Sequence, residues 1–333
     1  MTAAARFWII IPLFGLFTAV VIVLAPTLGS TPISLARVFD PQIPWAENVD
    51  AQIFFIARLP RVLAGALVGS TLAAAGVVLQ ALLRNPLATP FTLGVSAGAA
   101  LGAMLAIAFQ LDVGLLGATS VPTASFTGAL VGTGIVYFLA TRVHGGLSTT
   151  VILLAGVTLN AFFSAIITFV QFVIDMADWY RTARWLLGNL DVSSFRPILA
   201  TTPLLLFAFG MFALLPRALN LLSIGDDVAS SRGVDVRRVQ RIAFLSSSLA
   251  TGAAVSLSGP IGFIGIIVPH LVRLLVGSDH RIVLPAATLF GAAFLILCDL
   301  LARTIMAPIE LPVGIVTAMI GGPFFMWLLV RRA

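Results

Sequence analysis

Long apolar runs separated by short polar stretches make up almost the whole chain. Leu, Ile, Val, Ala, Phe and Gly fill ten blocks, at residues 7–28, 62–83, 92–111, 119–141, 150–174, 197–216, 240–257, 261–276, 282–302 and 312–330. A helix needs roughly 20 apolar residues to cross the hydrocarbon core of a bilayer, and most of the blocks meet that length. The seventh and eighth are shorter and interrupted by Gly and Pro, so they make the weakest case. None shows the two-residue alternation of an outer-membrane barrel strand. The pattern predicts an all-α, polytopic membrane protein of about ten transmembrane helices. The longest stretches outside the blocks are 29–61, 175–196 and 217–239. None is long enough to fold alone, so residues 1–333 read as a single transmembrane domain. The first block follows Arg6 and exceeds the 7–15-residue core of a signal peptide. No small-residue cleavage site ends it, and it reads as a retained span.

Composition supports lipid as the main solvent. The chain is 59% hydrophobic and 10% charged, against roughly 25% charged for soluble domains. It has no lysine. With ten spans both termini share one face, and that face carries twelve arginines: Arg6, Arg84, Arg142, Arg217, Arg232, Arg237, Arg238, Arg241, Arg273, Arg281, Arg331 and Arg332. The other carries seven: Arg37, Arg58, Arg61, Arg181, Arg184, Arg196 and Arg303. Loops rich in arginine resist translocation, so the termini are expected in the cytoplasm. The net charge of +6 then reflects topology, and the scatter of basic residues over short loops speaks against nucleic-acid binding. Cys298 is the only cysteine. No internal disulfide is possible, and its place inside a span suits a small apolar filler.

One charged island interrupts the pattern. Arg217, Asp226, Asp227, Arg232, Asp235, Arg237, Arg238 and Arg241 gather a quarter of the 32 charges into 25 residues. Asp226 or Asp227 is placed to cap a short helix that Gly233 ends. A short helix outside the bilayer followed by a basic stretch reads as a docking element for a soluble partner. The alternative is an ordinary positive-inside loop. Elsewhere, 29–61 reads as irregular with one short helix. Trp179, Tyr180 and Trp185 mark 175–196 as an interfacial helix, or else as a helix shaping the outer mouth of a channel. The two halves correspond faintly. Gly76 precedes the Asn85-Pro86 break and the run Pro90–Gly102, and Gly252 precedes Gly259-Pro260 and the run Gly262–Gly277. Paired interrupted spans of this kind signal an inverted repeat around a pathway.

The residues for several chemistries are missing. A P-loop needs its lysine on the nucleotide phosphates, and so does a Schiff base need a lysine. His144, His270 and His280 lack metal-ligand spacing, and no G-x-S-x-G elbow is present. The chain reads as a conduit, not an enzyme. Asp299 lies deep in an apolar run with Arg303 four residues on, a spacing that pairs them on one helix face. A structural ion pair, a proton relay and an outward docking charge are three readings of that pair. Arg58 and Arg61 flank the outer start of the second span, where they suit lipid phosphates or, with Arg303, an acidic soluble partner. Asn160, Phe163, Thr168 and Gln171 in the fifth block are candidates for a pathway lining.

Six stretches together resemble one family. They are Arg58-Leu-Pro-Arg61; Asn85-Pro-Leu-Ala88 with Leu93-Gly-Val-Ser96; Leu154-Ala-Gly156; Gly225 through Gly233; Gly259-Pro-Ile-Gly-Phe-Ile-Gly265 with Pro269-His270; and Glu310-Leu-Pro312 with Gly314. In this order they resemble the permease subunit of bacterial type II ABC importers for iron chelates, haem and cobalamin, the FecCD family. The resemblance runs from near residue 58 to the C-terminus. It implies a ten-span permease of the bacterial inner membrane, two copies per transporter, and a pathway between them. It implies two cytoplasmic ATPase subunits, which hold the ATP and Mg, docked on coupling helices between spans six and seven. Leu222, Gly225, Asp226, Asp227, Ala229, Arg232 and Gly233 are the matching residues. It further implies a periplasmic substrate-binding protein docked on Arg58, Arg61 and Arg303, and a cytoplasmic gate at Ser148, Thr149 and Thr150. Ferric siderophore is the first expectation for cargo, on the run Ala88-Thr-Pro-Phe-Thr-Leu-Gly94, with haem and cobalamin open. The rival from another class is a secondary transporter driven by an ion gradient.

Overall fold

The structure is a computed structural model that describes residues 3–112, 114, 119–144 and 148–332. The side chains of Arg6, His144, Arg331 and Arg332 lie outside the described ones. Among the described residues there are helices and no strand. Ten helices of 13 residues or more follow the ten apolar blocks: α1 (Ala3–Leu24), α2 (Leu59–Leu82), α3 (Val95–Ala108), α4 (Ser120–His144), α5 (Thr149–Val173), α6 (Arg196–Ala213), α7 (Val236–Ser258), α8 (Ile264–Val276), α9 (His280–Thr304) and α10 (Val313–Arg332). Six are long and apolar enough to cross a membrane by that measure alone, and α3, α8 and α10 form shorter apolar helices. The seventh block begins four residues earlier than expected, because Asp235 caps α7 by accepting from the Arg238 amide at 3.0 Å. Arg237, Arg238 and Arg241 therefore stand on the first turns of α7 rather than in a loop.

Position in the bundle follows composition. In α2, Gly65, Gly69 and Gly76 alternate with Ala and Val, and the helix is buried on nearly every side. A helix apolar all round belongs in a core. It runs against α9, α7 and α8. A Cβ added at Gly69 would strike the Gly291 carbonyl of α9, and one at Gly76 the backbone of Gly265 in α8. Small residues let helices approach to backbone contact, which supplies the packing that lipid cannot drive. By contrast α1 buries, among its described side chains, only a narrow stripe, Phe14, Thr18 and Val21, which Ala25 continues in the turn that follows. These fall at helical spacing against α9, where the Thr18 hydroxyl reaches the Leu289 carbonyl at 2.9 Å.

The two interrupted pairs have matching forms. Each is a long helix, a partly buried link and a short helix: α2, 83–94, α3, and α7, 259–263, α8. Each short helix packs on the long helix of the other pair, α8 on α2 and α3 on α7. Irregular backbone at membrane depth is tolerated only inside protein, and here Ala88, Thr89, Pro90 and Leu93 in one link and Gly259 and Ile261 in the other are buried. Side chains also serve the links. Asn85 Oδ1 accepts from the Leu87 amide at 2.9 Å, and the Gln80 amide donates to the Gly265 carbonyl at 2.7 Å.

Candidate functional site

On the face where α2 begins and α9 ends, five charged side chains converge. Arg61 holds the Asp299 carboxylate through Nε at 2.9 and 3.0 Å, and holds Glu310 through NH1 at 2.5 Å. Arg303 Nε stands 3.1 Å from Asp299 Oδ2, which Arg61 also touches, and Arg303 reaches the Ala25 and Leu28 carbonyls at 3.4 Å. Arg58 donates to the carbonyls of Pro26 and Thr31. The cluster ties α2, α9, the link into α10 and the segment after α1 into one corner. Asp299 and Arg303 form the i,i+4 pair that their spacing predicts. Sequence spacing did not show that Arg61 and Glu310 complete it, because those partners are 238 and 249 residues from Arg61.

Arg58, Arg61 and Arg303, expected to dock a binding protein, line an outer cavity of about 230 Å³ with Glu310 and do not stand out on an open surface. They are 6%, 8% and 3% exposed and already engaged inside the chain. A guanidinium bonded to buried carbonyls and carboxylates leaves water at a cost that its internal partners offset. Glu310, with a side chain 46% exposed, is the open member of the cluster. Of the segment 175–196, Met176–Leu186 forms a helix capped by Asp175, which accepts from the Asp178 amide at 2.8 Å. Tyr180 and Arg184 on it line an outer cavity of about 470 Å³ together with Arg61, Asp191 and Glu310. The segment 29–61 holds the one isolated short helix expected, Leu35–Val38; from Val49 the chain is already helical and runs through the π-helical turn Ile53–Arg58 into α2.

On the opposite face the charged island folds into two short helices, Pro216–Leu222 and Asp226–Ser231. The expected cap is corrected. Gly225 occupies the cap position, and no side chain caps the helix. Asp226 turns instead to Arg84 at the end of α2, with Gln240 of α7 at 3.5 Å. The far end matches the sequence reading. Gly233 has φ +81°, and the amides of Gly233 and Val234 donate to the carbonyls of Ser230 and Ala229 at 2.9 and 3.0 Å. This is a Schellman ending, which needs a left-handed residue after the helix. Leu222 and Ala229 are buried and anchor the pair of helices. Asp227, Val228, Ser230, Ser231 and Arg232 are exposed. The result is a small rigid knob with an outward polar face.

A second brace holds the knob. Asn220 donates to Asp279 Oδ1 at 2.7 Å, while its own oxygen accepts from the His280 amide at 2.9 Å and lies 2.7 Å from His280 Nδ1. That oxygen only accepts, so Nδ1 carries the ring proton. Hydrogen bonds from Arg281 draw the Asp279 carboxyl down to about 2, so it stays ionised as the cap of α9. Through Arg84, Gln240 and Asn220 the knob is joined to α2, α7 and α9. These contacts carry no sequence signal beyond polarity.

The pathway and gate residues are placed as follows. Asn160 donates its amide to the Phe91 carbonyl at 2.9 Å. Phe163 is 6% exposed and sits beside Gly98 and Gly132, between α3 and α4. Phe163 therefore packs inside the protomer, while Asn160 is half-buried. Thr168 is exposed and Gln171 half-buried, on the outer side of α5. Ser148 precedes α5, and Thr149 and Thr150 open it; residues 145–147 before them lie outside the described residues.

Comparison with known proteins agrees with this geometry. Residues 17–331 match the FecCD transport family. The hemin transport system permease protein HmuU of Yersinia pestis is 41% identical over 282 residues, covering 84% of each chain. The cobalamin import system permease protein BtuC of Halobacterium salinarum is 43% identical over 276 residues, covering 83% of this chain and 72% of that one. A solved structure, described as an inward-facing conformation of a metal-chelate type ABC transporter, superposes with a TM-score of 0.84 at 32% identity over 97% of this chain and 99% of that chain. The helical bundle with its rigid knob is a multi-pass transport permease, and the chain belongs to the FecCD transport family.

Proposed function

We propose that the chain is the membrane permease of an ATP-driven importer, and that it moves a metal chelate inward along a pathway formed with a second copy of itself. The knob Asp226–Ser231 carries this reading. It is exposed on its outer side, ended by a left-handed glycine, and braced to α2 and α7 directly and to α9 through Asn220 of the adjoining helix Pro216–Leu222. A rigid element that joins the ends of three packed helices suits the transfer of force from a soluble motor. ATP and Mg belong to two ATPase subunits seated on the knobs of the two copies. The side with the knob is the cytoplasmic face of the bacterial inner membrane, with both termini, on the arginine asymmetry. A periplasmic binding protein delivers cargo to the opposite face, over the cavity shaped by Met176–Leu186. Ser148, Thr149 and Thr150 form the inner gate.

Ferric siderophore is the proposed cargo. A second reading, haem or cobalamin, is favoured by the names of two relatives that share over 40% identity with this chain.

The test is reconstitution. The chain and its ATPase partner are placed in vesicles with the binding protein inside the same assay, and uptake of a labelled ferric siderophore, haem and cobalamin is compared. ATP-dependent uptake of one chelate is expected, with none from the permease alone. Uphill accumulation by the lone permease on an ion gradient would overturn the reading.

A further inference from the structure

Away from the outer cluster, a groove of about 420 Å³ opens between α4, α6 and α7. Its volume lies in the ~300–1,000 Å³ range of small-molecule sites. Leu130, Gly134, Phe207, Met211, Leu245 and Leu249 make its walls almost wholly apolar. Arg241 closes the end nearest the knob. Along α7 the groove runs from residue 241 to 249, about 12 Å at 1.5 Å per residue. Residues 238, 241, 245 and 249 follow the three- and four-residue spacing of one helix stripe. Arg238 thus continues the line outward beyond Arg241. Neither arginine makes an ion pair among the described residues. Tyr137, an aromatic with a polar tip, stands on the α4 wall in the last turns of that helix.

We propose that this groove is a lipid site: it holds one acyl chain of an anionic phospholipid from the leaflet on the knob side, with the phosphate on Arg241 and Arg238. A narrow apolar recess ending in unpaired cations matches a molecule that is apolar along its length and negative at one end. Basic pockets between transmembrane helices on this side bind acidic headgroups for the same reason. A second copy of the chain fits less well. A two-fold interface sets the same patch against itself, and Arg238 and Arg241 would meet their own like charges. The inference rests on the chain being a membrane permease and not on its cargo.

Native mass spectrometry tests it. The full-length chain is taken from vesicles of equal phosphatidylglycerol and phosphatidylcholine, and retained lipid is weighed. The wild type is expected to enrich phosphatidylglycerol about twenty-fivefold, the product of roughly fivefold per arginine. Arg238→Gln with Arg241→Gln retains the two lipids alike. Arg238→Lys with Arg241→Lys keeps the enrichment, which separates charge from fold. Gly134→Leu fills the groove, where an added Cβ meets no atom within 4 Å, and retains neither lipid. The proposal is overturned by unchanged enrichment in the Gln pair, by wild-type retention in Gly134→Leu, or by disulfide-linked dimers of Gly134→Cys in membranes, which would put a second copy in the groove.

Discussion

Asp299 shows how one residue's worth depends on its surroundings. It is 1% exposed and faces two guanidiniums. Removing one partner of a buried pair strands the other charge, at about 3–5 kcal/mol. Asp299→Asn is therefore expected to lower thermal stability in detergent by about that amount, while uptake per folded molecule persists. Glu310 bonds the same Arg61 but is half in water, where such pairs contribute roughly 0–1 kcal/mol. Glu310→Gln is expected to cost no more than that. Equal losses from the two substitutions would contradict the geometry. Abolished uptake in a well-folded Asp299→Asn protein would favour a proton relay.

Among the elements, the knob gives the sharpest test. Arg84 and Asp226 are each about half exposed, at 44% and 45%, so their pairing does little for global stability. Its value is in direction, since it fixes the knob to α2. Asp226→Arg is expected to leave the permease folded and the ATPase subunit bound, and to reduce cargo-stimulated ATP hydrolysis several-fold. Adding Arg84→Asp restores the pair with its charges exchanged, and stimulation should return. Failure of the double variant to recover would mean that Asp226 acts on the ATPase subunit directly and not through α2. The Schellman ending at Gly233 and the Asn220 brace hold the other sides of the knob, so a single broken contact loosens it without releasing it.

For the molecule as a whole, the fold depends on backbone contact between helices. Gly69 and Gly291 meet where α2 crosses α9, and a side chain at either strikes the other's carbonyl. Gly69→Leu is expected to prevent assembly of the bundle, read as loss of the monodisperse folded peak after solubilisation. Gly210→Leu on α6, where an added Cβ has open space, should leave that peak unchanged. If both variants fold alike, the close crossing is not what holds the core.

The ten helices were legible in the chain because a segment surrounded by hydrocarbon must satisfy its own backbone and be apolar for about its full length, a local rule. The short helix ended by Gly233 was legible for the same kind of reason, since a left-handed helix end asks for glycine. The pairing of Asp299 with Arg303 followed from helical spacing alone. What only the tertiary structure decided were contacts between residues far apart in the chain: Arg61 with Asp299 and Glu310, Arg84 with Asp226, and Asn220 with Asp279 and His280. Burial was decided there too. It turned three outer arginines inward, and it set Phe163 against α3 and α4. Charge and polarity are properties of a residue, but exposure is a property of its neighbours, and the neighbours are chosen by how the helices pack.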